Sequence, residues 1–112
     1  MSNLDSTLIA LAEPTRRQVV NLLRRGPRSA GELALASNMS APAMSRHLRV
    51  LRRTKLVEEG AVDHDARIRI YRLRREPLVE LQAWLGEIES FWNDELGAFK
   101  AHAESRRREN KK

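Results

Sequence analysis

The chain has 112 residues, with 21 Lys and Arg against 15 Asp and Glu, a formal net charge of +6 and no cysteine. Its length argues for one domain with a modest core, and the lack of thiols excludes disulfides, thiolate metal sites and cysteine nucleophiles. The longest apolar run, Leu8 to Ala12, is far short of the roughly 20 residues that span a bilayer, and no basic-then-apolar leader opens the sequence, so the expected compartment is the cytoplasm.

Leu4, Leu8 and Leu11 sit at helical spacing, with Asp5 or Ser6 as the cap of a short first helix. Pro14 suits the first turn of a second helix, which carries Val19, Val20, Leu22 and Leu23 and stops at Gly26-Pro27. Ser29 and Glu32 have capping-box spacing for a third helix, with Leu33 and Ala36 on its apolar side. Ser37-Asn38-Met39 reads as a turn. Ser40 then caps a fourth helix, 41–53, whose stripe is Met44, Leu48 and Leu51.

Beyond it the pattern changes to two short antiparallel strands within 56–73. Period 2 puts Arg67, Arg69, Tyr71 and Leu73 on one face. Tyr71 and Leu73 are expected to anchor its base, with the arginines flaring away at the loop end. Pro77 opens a long last helix in which Leu78, Leu81, Leu85, Ile88, Trp92 and Phe99 step by threes and fours, widened by Trp84 and Phe91. The predicted order is α-α-α-α-β-β-α, mostly helical with a small two-stranded wing. Residues 1–104 form the domain, and 105–112 a basic, disordered tail.

Charge is segregated along this frame. Residues 46–55 and 67–75 are basic without an acid, whereas 76–99 hold Glu76, Glu80, Glu87, Glu89, Asp94 and Glu95 without a base. Such a division suits a protein that turns one positive side to a polyanion. The basic blocks lack the interleaved aromatics of a membrane-surface helix, so no membrane partner is expected. No nucleophile–base pair, Gly-rich phosphate loop or paired carboxylate set stands out, which argues against an enzyme.

Two short helices joined by a tight turn, the second rich in Ser and Arg, form a helix-turn-helix pattern. With Met44, Leu48 and Leu51 facing inward, the opposite face holds Pro42, Arg46, Arg49 and Arg53. Ser45 and Arg46 are placed to reach base edges or phosphates. Arg46 and Arg49 are otherwise solvated surface residues. His47, at the edge of the two faces, either packs or contacts DNA. Arg67 and Arg69 would meet the backbone or an adjacent minor groove.

The segment Leu11-Ala12-Glu13-Pro14-Thr15-Arg16-Arg17, the helix from Ser40 to Leu51, and the strands at Leu56-Val57 and Tyr71-Arg72-Leu73 together resemble the ArsR-type winged helix-turn-helix repressors, over roughly residues 7 to 100. The resemblance implies a homodimer that binds double-stranded DNA at a partly palindromic operator and represses transcription, often of its own operon. It places Ser40, Ala41, Ser45, Arg46 and His47 toward the groove. Where this family frequently has Gln or another polar residue, the chain has Ala41, which removes an adenine reader and shifts specificity to Ser45, Arg46, His47, the wing or DNA shape.

Metal-sensing members use cysteines, or His and acidic ligands on the last helix. Without cysteine, and with His47, His64 and His102 isolated from one another, the chain resembles the cysteine-free branch. No metal and no cofactor are expected, the effector is unknown, and Asp63-His64-Asp65 reads as a solvated wing tip.

The last helix carries more apolar residues than one core stripe needs. Leu4, Leu8, Trp84, Ile88, Phe91, Trp92, Leu96 and Phe99 are the candidate dimer interface, with two recognition helices about 34 Å apart. The competing reading is a protein-interaction module that works through this aromatic helix, with DNA binding incidental. A steep salt dependence of nucleic-acid binding separates the two.

Overall fold

A computed structural model describes residues 3–62 and 65–109. The elements are α1 (Asn3–Leu11), α2 (Pro14–Leu23), β1 (Arg28–Ser29), α3 (Ala30–Ala36), α4 (Ala41–Arg53), β2 (Val57–Val62), β3 (Asp65–Leu73) and α5 (Glu76–Glu109). The chain divides after Leu81 into two units.

In the first unit, local chemistry sets each boundary. Glu13 caps α2 by accepting the Arg16 amide at 2.9 Å, with Pro14 in the first turn. At α3 both halves of the capping box form: Ser29 Oγ accepts the Glu32 amide, and Glu32 Oε1 accepts the Ser29 amide, each at 3.1 Å. The turn after α3 closes with Met39 N donating to the Ala34 carbonyl and Asn38 N to the Leu35 carbonyl. That is the Schellman pattern, and it needs a left-handed residue, supplied by Asn38 at φ 50°. The end of α4 repeats it with Lys55 at φ 61°, and Leu56 N donates to the Leu51 carbonyl at 3.0 Å. Leu51 and Leu56 are both fully buried, which supplies the apolar contact of this cap.

The core gathers Val19 and Leu23 of α2, Leu33 of α3, Met44, Leu48 and Leu51 of α4, then Leu56, Val57 and Tyr71. Burying each large aliphatic side chain contributes about 1.5–3 kcal/mol, and three of them fix α4 along one face. Leu73 and Leu78 pack partly against this cluster.

The wing is antiparallel, with Val57 opposite Leu73 and Glu59 opposite Tyr71. It is three-stranded rather than two-stranded, in the order β1-β3-β2. The added strand, Arg28–Ser29, pairs with Tyr71 and Ile70. Two residues are too few for alternation to show. Ser29 is extended, φ −76° and ψ 161°, because an N-cap residue must be, and that geometry also suits the ladder.

Two other expectations differ. The first helix is already under way at Asn3, so Asp5 and Ser6 lie inside it rather than capping it; Thr7 Oγ1 donates to the Asn3 carbonyl at 2.9 Å. The last helix continues through Glu109, so residues 105–109, read as unstructured, are helical, while 110–112 lie outside the described residues.

The second unit, from Gln82, consists of the rest of α5. Phe91 and Trp92 meet edge to face with ring centroids 6.1 Å apart. Among the described residues no helix is long and apolar enough to cross a membrane.

Candidate nucleic-acid interface

Helix α4 begins at Ser40, whose Oγ accepts the Ala43 amide at 3.3 Å, so its hydroxyl is engaged in capping. Ala41, Pro42, Ser45, Arg46 and Arg49 are exposed, and Arg53 extends the same face. Among the described residues Arg46, Arg49 and Arg53 have no ion pair or hydrogen-bond partner of their own. The structure thus leaves Ser40, Ala41, Ser45, Arg46 and Arg49 all exposed, with Arg46 and Arg49 opposite the buried Met44, Leu48 and Leu51, Ala41 and Ser45 at the flank of that stripe and Ser40 at the helix N-terminus.

His47 is placed differently. It is half-buried, with Nδ1 at 3.4 Å from Arg16 Nη1 and 3.7 Å from Glu13 Oε2. Arg16 Nε donates to the Ala10 carbonyl at 2.7 Å, and Arg17 Nη1 to the Leu11 carbonyl at 2.7 Å. Both guanidiniums satisfy carbonyls that the end of α1 leaves unpaired. Loss of solvent raises the Glu13 pKa. The Arg16 and Thr15 amides, then the charges of a protonated His47 and of Arg16, outweigh this and hold it below the ordinary value.

The wing arginines Arg67 and Arg69 are both exposed, and Arg69 Nε lies 3.3 Å from Glu59 Oε1 rather than flaring away. Glu59 is a hub. Its Oε2 accepts from Tyr71 Oη at 3.0 Å and also pairs with Arg52 Nη1 of α4. Burial raises the Tyr71 pKa, and the hydrogen bond to Glu59 and its charge add to the rise. Sequence reasoning missed Glu59, Arg16 and Glu13. Strand register was the available signal for the first, because Glu59 opposite Tyr71 puts Arg69 diagonally across on the same face. Asp63 and His64, of the expected wing tip, lie outside the described residues.

Of the expected interface residues, Leu8, Trp84, Phe91, Trp92, Leu96 and Phe99 are exposed, and Leu4 and Ile88 half-buried. Leu4 and Leu8 belong to the first unit, the other six to the second.

This helix-turn-helix, with its basic face and wing, matches known proteins. A family model described as "Bacterial regulatory protein, arsR family" covers residues 13–59. The chain is 37% identical over 96 residues to the HTH-type transcriptional regulator Rv2034 of Mycobacterium tuberculosis, spanning 85% of this chain and 83% of that protein. It belongs to the ArsR family of bacterial regulators. A second relative of this kind is the transcriptional repressor SdpR of Bacillus subtilis, 32% identical over 56 residues, half of this chain and 62% of that one. Among solved structures, the homodimeric winged helix-turn-helix DNA-binding domain Mb0332 of Mycobacterium bovis superposes with a TM-score of 0.62 at 26% identity, covering 79% of each chain. This ArsR-family chain is therefore a transcriptional regulator built on a winged helix-turn-helix DNA-binding domain.

Proposed function

We propose that the chain acts as a dimeric, sequence-specific repressor that binds a partly palindromic operator, including one upstream of its own gene. In this reading α4 enters the major groove, with Ser45, Arg46 and Arg49 at base edges or phosphates, and Arg67 of the wing meets the backbone or minor groove, while Glu59 holds Arg69 back. The carrying observation is the row Arg46, Arg49 and Arg53, exposed on the face of α4 opposite its buried stripe and without a partner among the described residues. Relatives support repression and dimerisation: SdpR is named a repressor, and Mb0332 is homodimeric. It is a reading of regulation rather than catalysis, at work where the chromosome is.

The test is fluorescence anisotropy on the DNA upstream of its own gene, against a scrambled duplex, across a salt series. Repression predicts tight, salt-steep binding that prefers the upstream fragment. Arg46→Ala is expected to weaken operator binding by about 1–3 kcal/mol, as loss of a base contact does. Equal, weak binding to both duplexes removes this reading for that site and favours the interaction module.

Dimerisation is assigned to Leu4 and Leu8 of α1 and to the aromatic side of α5. Trp92 is 57% and Phe99 72% exposed, and large apolar side chains left open in a single chain mark a partner surface. Trp92→Ala is expected to raise the dimer dissociation constant by tenfold or more, about 1.4 kcal/mol. Sedimentation equilibrium reads this directly, and an unchanged constant displaces the interface from Trp92.

A further inference from the structure

His47 and Arg16 stand 31 residues apart in the chain and meet where α2 lies against α4. Arg16 Nη1 is 3.4 Å from His47 Nδ1. A guanidinium has five N–H donors and no acceptor, so Nδ1 is the acceptor in this contact. A neutral imidazole that accepts at Nδ1 carries its proton on Nε2. Glu13 Oε2, at 3.7 Å from the same nitrogen, is farther than Arg16 and beyond hydrogen-bond range. Arg16 has little freedom to leave. Its Nε donates to the Ala10 carbonyl at 2.7 Å and its Nη2 to the Ile9 carbonyl at 3.4 Å, both in the last turn of α1.

We propose that Arg16 is a positioning residue that fixes neutral His47 in its Nε2–H form, so that the ring offers DNA a hydrogen-bond donor and never an acceptor. This rests on the assignment of α4 as the reading helix and deepens it. The ligand atom is then an acceptor: a phosphate oxygen, or N7 or O6 of guanine. The same guanidinium ties the ring to the end of α1, so the first helix of the chain and a residue of the reading helix share one support.

Two measurements test it. Long-range 15N spectra of the free protein, taken about two pH units above the ordinary histidine value, are expected to show His47 protonated at Nε2 and bare at Nδ1. Arg16→Ala is expected to mix the two tautomers, and Arg16→Lys to restore the Nε2–H form. A His47 that carries its proton on Nδ1 in the wild-type protein overturns the proposal.

The second measurement is operator affinity. His47→Gln places an amide near the Nε2 position, and His47→Asn places one near Nδ1. The Gln variant is expected to bind within about twofold of wild type. The Asn and Ala variants are expected to lose about fivefold, the worth of one hydrogen bond. Weakening shared by operator and scrambled duplex marks a phosphate; weakening confined to the operator marks a base edge. Asn binding better than Gln overturns the donor role. So does wild-type affinity in all three variants while Arg46→Ala still weakens binding, a result that leaves the repressor reading standing. A wild-type protein with no preference for its upstream duplex fails that reading first and the DNA half of this one with it, whereas the ring nitrogens still decide the part played by Arg16.

Discussion

Leu51→Ala is expected to lower the unfolding free energy by about 3 kcal/mol, within the roughly 2–5 kcal/mol typical of buried Leu truncations. The side chain is fully buried. It sits in the last turn of α4, where its own carbonyl accepts both the Leu56 amide and Thr54 Oγ1 at 3.0 Å. Truncation therefore opens a cavity beneath the Schellman cap that turns the chain into β2. A domain of this size has only about 5–15 kcal/mol in total, and each kilocalorie is worth about 4–8 °C of melting temperature. A fall of 12 °C or more is the expected readout, at fixed protein concentration because dimerisation adds to apparent stability. Leu35→Ala is the matched control. That residue is 84% exposed on α3 and is expected to change stability by less than about 0.5 kcal/mol. Equal effects from the two variants contradict the burial pattern that orients α4.

The contrast shows which parts of this molecule were legible in its sequence. Helix α4 was readable to the residue because three local signals agree: Ser40 at the N-cap, Pro42 in the first turn, and Met44, Leu48 and Leu51 at helical spacing. The capping box at Ser29 and Glu32 was equally plain. In the wing, Tyr71 and Leu73 anchor the base as their alternation predicts, for Tyr71 is buried and Leu73 packs on the core. Pairings across sequence distance stayed hidden. Arg69 reads as one more basic residue in a basic run, and only the ladder reveals Glu59 beside it. Arg16 stands in the sequence only as part of the Leu11–Arg17 segment, and its partners emerge when the chain folds it against His47 and the end of α1. Helix α5 outran its expected end because Glu104 to Glu109 contains no residue that stops a helix.

Glu59 restrains two arginines of the first unit, and Glu59→Gln is expected to release them. The carboxylate, whose side chain is only 19% exposed, holds Arg52 and Arg69 and accepts from Tyr71. Gln keeps the size and one acceptor for the tyrosine but drops the charge, so the fold is expected to survive with a loss of about 1–2 kcal/mol. Two guanidiniums are then free to meet phosphates. Each new phosphate contact steepens the log–log dependence of affinity on salt by about 0.9, so the slope is expected to steepen by up to roughly 2 per protomer. Nonspecific duplex is expected to gain affinity as much as the operator does, because phosphates carry no sequence. The specificity ratio therefore stays level while both affinities rise at low salt. A salt slope identical to wild type means that Arg52 and Arg69 lie away from the DNA. In that case the hub serves only to brace the wing against α4, and the positive face of the reader narrows to Arg46, Arg49 and Arg53.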